Sequence, residues 1–197
     1  MNYEIEIVEG HDYSSYFWFR PVVFEEECGS IWDGTVELEE EFCIEEGDID
    51  CFLAYFFYKY FDDELIYNRK RYEWGERVKG FQWYLTYNFF TYETLKKMIE
   101  DILETAALLE TDYDNPRLDE VKKKFSIFYM CSRDDPDYKK FSIFNACSKK
   151  GLSYDGEDVA IKKHISVVID FYHRFAKRLA AMMDNNRNTN IISIMGP

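Results

Sequence analysis

The sequence is poor in the elements that usually announce chemistry. Its nine glycines are scattered, and none falls in GxGxxG or GxxxxGK[ST], so no loop is built to cradle a phosphate and no nucleotide cofactor is expected. Histidine is scarce as well: only His11, His164 and His173 occur, and the last two stand nine residues apart, not at the spacing of four that stacks two ligands on one helix face. Cys28, Cys43, Cys51, Cys131 and Cys147 are odd in number and never reach CxxC spacing, which fits reduced thiols. Asp112 to Asn115 and Asp134 to Asp137 lack the glycine and glutamate that continue a calcium loop, and read as solvated turns. No metal and no cofactor are expected.

Long hydrophobic runs are missing too. The greasiest stretch, Cys51 to Phe61, is interrupted by Lys59 and ends at Asp62, and MNYEIEIVEG has neither a basic nor an apolar leader segment. The expectation is a cytoplasmic chain with no membrane contact. For nucleophilic catalysis, Cys131 or Cys147 would need His164 or His173 as base. Both thiols lie in the apolar pattern FSIFxxCS, where cysteine behaves as a small hydrophobe, and no catalytic residue is assigned.

What is abundant is negative charge and aromatic surface. The net charge is -14, and 17 Phe, 16 Tyr and 4 Trp make up 19% of the chain. Residues 1–68 hold 19 acids against two bases, Arg20 and Lys59, whereas the remainder is slightly basic. Such polarity selects partners more than it specifies a fold. With a pI near 4.7 the chain would repel a polyanion, so Arg69-Lys70-Arg71-Tyr72-Glu73-Trp74 is read as counter-charge for the acidic segment, and direct nucleic-acid binding is not expected.

Period-2 patterns dominate the acidic third. Tyr3, Ile5 and Ile7 alternate with Glu4 and Glu6; Tyr16 to Phe24 forms a second strand, bent or at an edge because Pro21 lacks a donor. Asp33-Gly34 suits a turn. In the third strand Val36, Leu38, Phe42 and Ile44 oppose Glu37, Glu39, Glu41 and Glu45. Residues 49–61 suit a buried helix by length and a strand by aromatic density, with helix favoured. A further strand runs from Phe81 to Phe89. Helical spacing then takes over: Thr91 caps Leu95, Met98, Ile102 and Ala106; Pro116 opens a helix carrying Leu118, Val121, Phe125 and Phe128. KKFSIFYMCS at 123–132 is echoed by KKFSIFNACS at 139–148, which reads as two similar amphipathic turns. The strongest helix carries a seam of Ile161, Ile165, Val168, Tyr172, Phe175, Leu179 and Met182, able to dock on the sheet or on a second copy.

No linker divides these parts. The pattern predicts one α+β domain over 1–183, strands mainly in 1–90 and helices in 91–183, with an N-terminal antiparallel sheet and helices packed on one face. Residues 184–197 are expected to be a loose tail, although Ile191 to Met195 could add a short strand. Glu4, Glu6, Glu37, Glu39, Glu41 and Glu45 emerge as a carboxylate face whose charges, about 7 Å apart along a strand, repel one another. The reading that follows is a non-enzymatic binding protein of the inhibitor or immunity type, covering a basic surface of a partner protein, as a monomer or a homodimer through the 161–182 seam. The alternative is an enzyme whose Glu or Asp, His and Tyr meet only in the fold.

Overall fold

The computed structural model describes residues 3–10, 15–24, 35–37, 40–73, 76–84, 86–147, 155–187 and 189–197. The acidic third supplies strands β1 (Val8–Glu9), β2 (Tyr16–Phe24), β3 (Thr35–Glu37) and β4 (Phe42–Glu45). Helix α1 follows over 46–60 as three joined segments, Glu46–Asp48, a π-type turn Ile49–Leu53, and Ala54–Tyr60. Next come α2 (Ile66–Arg69), the small hairpin of β5 (Tyr72–Glu73) and β6 (Glu76–Arg77), β7 (Tyr87–Thr91) and the long helix α3 (Tyr92–Thr111). Short helices α4 (Asp119–Lys122) and α5 (Pro136–Cys147) lead to the 31-residue α6 (Asp155–Asn185) and the last strand β8 (Ile191–Met195).

The main sheet runs β1-β4-β2-β8-β7, every pair antiparallel, with β3 also on β2. The predicted α+β class holds, with α3 and α6 on one face in a single domain. Phe17 and Phe19 of β2 lie opposite Ile44 and Phe42 of β4, and Phe19 stacks on Phe42 with ring centres 4.5 Å apart. Phe175 of α6 meets both rings edge-on, at 5.5 and 6.2 Å. The α6 seam therefore docks on the sheet: all its members are buried except Ile165, which is half-buried. This is the first of the two placements expected for the seam, and its burial leaves little of it for a second copy.

Residues 3–7 keep the expected alternation, Ile5 inward and Glu4 and Glu6 outward, but pairing starts only at Val8. Pro21 lies in an interior strand, not at an edge. Phe19 faces Phe42 and Val22 faces Glu37, so three steps along β2 match five on the opposing chain. The proline falls where that ladder is interrupted, and its missing N–H breaks no pair there. The same offset splits the single strand expected over 36–45 into β3 and β4. Asp33-Gly34 lies outside the described residues.

Thr91 caps α3 as expected, its hydroxyl accepting the Thr94 N–H at 3.2 Å. The strand expected over 81–89 begins only at Tyr87. Phe81 and Trp83 turn instead into an aromatic cluster with Phe17 and Phe57, and the Gln82 N–H bonds the Asn88 side chain at 2.8 Å. Helix α1 bears out the helical reading of 49–61. Its π-type turn coincides with the buried Tyr172 hydroxyl, which donates to the Phe52 carbonyl at 2.8 Å; a polar group inserted beside a helical ladder is a recognised cause of such distortion. The helix opened by Pro116 ends at Lys122, earlier than Phe125 and Phe128 suggested.

Arg71, read as surface counter-charge, is buried. It donates to the Gly80 carbonyl at 2.8 Å and to Asn88 at 3.0 Å, and lies 4.7 Å from the Phe61 ring centre. Asn68 pairs with both backbone groups of Phe89, at 2.9 and 3.1 Å, and so closes the outer edge of β7.

The expectation of a loose tail is corrected for Ile191 to Met195. β8 is a central strand, inserted between β2 and β7, and four of its five residues are buried. A strand covered on both faces loses its alternation and resembles any apolar run, which hides it in the sequence. Burial of Ile191, Ile192 and Ile194 contributes about 5–9 kcal/mol, comparable to the whole stability of a typical domain, roughly 5–15 kcal/mol. A chain ending at Asn190 is therefore expected to lose its near-ultraviolet circular dichroism and its cooperative thermal transition. Retention of both would mean that β1, β4 and β2 suffice to hold the fold.

Candidate functional site

The six carboxylates singled out by the sequence are not presented as one face. Glu4 pairs with Arg174 at 3.1 Å, and Glu41 pairs with Arg20 in a half-buried contact. Glu37 lies opposite Val22 in β3, and Glu39 lies outside the described residues. Glu6 and Glu45 are exposed, and among the described residues neither has an ion-pair partner. Other acids of the first third are neutralised from α6: Arg178 grips both oxygens of Glu9 at 2.7 Å and reaches Glu40 at 3.2 Å. The counter-charge to the strand acids thus comes from Arg20, Arg174 and Arg178, while Arg71 of the 69–71 stretch lies 3.9 Å from Asp63 of the same acidic segment.

Three acids that α6 does not neutralise gather where β4 runs into α1. Glu45, Glu46 and Asp50 line a groove of about 520 Å³ together with Trp83, Tyr84 and Tyr129. Aspartate and glutamate suit the first turn of a helix, because its free N–H groups carry partial positive charge. Tyr129 packs closely against Gly47; a Cβ there would sit 2.2 Å from the ring, so glycine leaves the room it needs. Tyr84 donates to Glu46 at 2.8 Å, which raises its own pKa. Beyond Asp50 a second hollow of about 430 Å³ continues along Tyr55, Tyr58 and Glu120. Tyr58 and Tyr84 are 51% and 62% exposed, although a Trp83 indole N–H to Tyr58 hydroxyl bond braces this surface. Between the two hollows the Lys124 ammonium is paired with Asp50 and lies 5.7 Å from the Trp83 ring centre. The surface already holds one cation between a carboxylate and an aromatic face.

Sequence reasoning found Glu45 but missed Glu46, Asp50, Trp83, Tyr84 and Tyr129. The run Glu45-Glu46-Gly47-Asp48-Ile49-Asp50 was a usable signal for the acids. Nothing local joins them to Trp83 or Tyr129, which arrive from separate segments.

Elsewhere a larger groove, about 620 Å³, runs along Tyr3, Cys131, Asp135 and His164. His164 reaches Asp137 at 3.1 Å and Asp135 at 3.9 Å, so the turn at 134–137 is more than a solvated one. His173 is exposed on α6 and takes no part. Burial pushes the Cys131 thiol up to about 11 and the Cys51 thiol up to about 12, which leaves both as thiols at neutral pH. Comparison of the chain with protein families, curated proteins and solved structures found no match.

Beneath the acidic corner lies Asp48, only 5% exposed, with its Oδ1 unbonded among the described residues. Burial, with Glu45 and Glu6 nearby, pushes its pKa from 3.8 to about 7. Between those values the native protein keeps a proton that the unfolded chain has released. The stability linked to this group is therefore full below the unfolded pKa and is lost as pH rises through about 7. Asp48→Asn carries no charge to bury. It is expected to match the wild type near about pH 4 and to exceed it by up to about 4 kcal/mol near pH 8. Urea unfolding across that range measures the difference; a gap that does not change with pH would reject the assignment.

Proposed function

We propose that the protein is a non-enzymatic binding protein of the inhibitor or immunity kind, acting in the cytoplasm on a partner protein with a basic surface. The observation that carries this reading is the seat of Lys124 between Asp50 and Trp83. Glu45 and Glu46 flank the same aromatic wall, and a lysine or arginine from a partner would meet the same chemistry there. Exposed tyrosine and tryptophan beside charge is also the composition of interface hot spots, since these rings add contact area with few rotamers to freeze. Arginine neutralisation of Glu4, Glu9, Glu40 and Glu41 supports moving the binding surface from the strand face to this corner. Long-range attraction from a net charge of -14 would speed the encounter with a basic partner. A basic surface that itself holds nucleic acid fits this description, because the acidic corner would compete for the same side chains.

The alternative, an enzyme assembled in the fold, draws on the meeting of His164 with Asp135 and Asp137 along the larger groove.

The test is capture from native lysate followed by titration with the purified partner. The expected partner is basic, its affinity falls with salt, and Glu45→Lys/Glu46→Lys weakens it by about tenfold or more through like-charge repulsion. Tyr84→Ala is expected to slow association little and to speed dissociation, as loss of a short-range contact does. Glu4→Ala, far along the chain and paired with Arg174, should leave binding unchanged. Equal affinity in the wild type and the double lysine variant would overturn the reading.

A further inference from the structure

We infer that Asp135, Asp137 and His164 form a binding site for one divalent transition-metal ion of the zinc class, open toward the larger groove. One donor atom from each residue lies within 4.8 Å of the other two. The His164 Nε2 is 3.1 Å from Asp137 Oδ2 and 3.9 Å from Asp135 Oδ1. Tetrahedral coordination at about 2.0–2.2 Å holds donor atoms roughly 3.3–3.6 Å apart; the two separations from His164 bracket that value, and the two carboxylates, within 4.8 Å of each other, close on the ion as it binds.

Local structure prepares the ligands. Asp135 sits just before α5, and its Oδ1 accepts the Asp137 N–H at 2.8 Å, which orients the Asp-Pro-Asp turn. Lys163 donates to Asp137 Oδ2 at 2.6 Å, and the His164 Nε2 lies 3.1 Å from the same oxygen. His164 projects from the third turn of α6. One imidazole and two carboxylates leave at least one coordination position free. Such a site resembles open, reactive metal centres more than closed structural ones. Asp135 and His164 line the larger groove together with Tyr3 and Cys131.

One feature opposes the metal. The Lys163 ammonium already occupies Asp137 Oδ2 at 2.6 Å, so an incoming cation must displace it. That competition makes the inference testable. A purely structural tether between α5 and α6 would gain nothing from loss of Lys163, whereas a metal site would.

The experiment titrates the full chain, freed of metal, with Co²⁺ and follows its visible d–d absorption, then displaces it with Zn²⁺. The wild type is expected to take one equivalent with the strong absorption of tetrahedral geometry. Lys163→Ala should bind more tightly. Asp137→Asn and His164→Ala should each bind about tenfold more weakly or worse. If the wild type and Lys163→Ala both take up no Co²⁺, the site is refuted. It is equally refuted if His164→Ala and Asp137→Asn bind as the wild type does, since the ion would then lie elsewhere. Should either variant lose its near-ultraviolet circular dichroism, the His164 ring nitrogen resonances of the wild type decide. A shift on adding Zn²⁺ supports the site, and no shift overturns it.

Discussion

Ile194 of β8 lies between Phe19 of β2 and Asn88 of β7, and most of the structure depends on that insertion. Among the described residues β7 has no other strand partner, and β8 is its link to the β1-β4-β2 group. The strand made last must enter between two made much earlier, so its pairings are among the least local in the chain. Contacts of that kind carry the full cost of loop closure before they return any stability. Asn88 then spreads the consequence. It is fully buried and donates to the Ile194 carbonyl at 3.0 Å and the Gln82 carbonyl at 2.8 Å, while accepting from Arg71 and from the Gln82 N–H. The segment that carries Trp83 and Tyr84 therefore hangs from the same residue that fixes β8. Gly196 closes the connection, since a Cβ there would overlap the Trp83 carbonyl at 1.6 Å. The aromatic wall of the candidate site is in this sense a product of the C-terminal strand.

Charge is organised by the longest helix. Arg174 and Arg178 of α6 answer Glu4, Glu9 and Glu40, and Arg174 also donates to the Ile5 carbonyl at 2.9 Å. Half-exposed pairs of this sort add little stability singly, but they decide which acids remain available. What remains is a corner where Glu45, Glu46 and Asp50 stand over a buried aspartate that would rather be neutral. Lys124 balances Asp50 there, and a further bound cation would offset part of the remaining negative charge. Stability and binding then pull on the same few residues, a common arrangement at functional sites.

The period-2 and helical patterns were legible because half-buried strands and core-facing helices expose one face to water, and the sequence must alternate accordingly. That is why β4, α1, α3 and α6 appear where apolar spacing put them. The failures share one cause, which is burial by distant segments. The repeated hexapeptide KKFSIF makes the point. At 123–128 it passes from the end of α4 into a short 3₁₀ turn, Ser126 capping it, with Ile127 fully buried. At 139–144 the same letters are continuous helix in α5, and Ile143 is 67% exposed. Phe125 and Phe141 are buried in both copies, so a local preference survives only where the tertiary environment agrees with it.

By itself the sequence determined the class of fold, strands mainly first and helices mainly after, the apolar face of α6 and the excess of acid in the first third. All four follow from composition and spacing, which act over a few residues. Tertiary structure alone decided that residues 191–195 form the middle of the sheet, that Arg71 is a buried brace, and that α6 neutralises the strand carboxylates. It also decided which residues meet at the acidic corner and around His164. Those outcomes rest on contacts between segments far apart in the chain, and a buried contact is set by the shape and polarity of its partner, which no local pattern records.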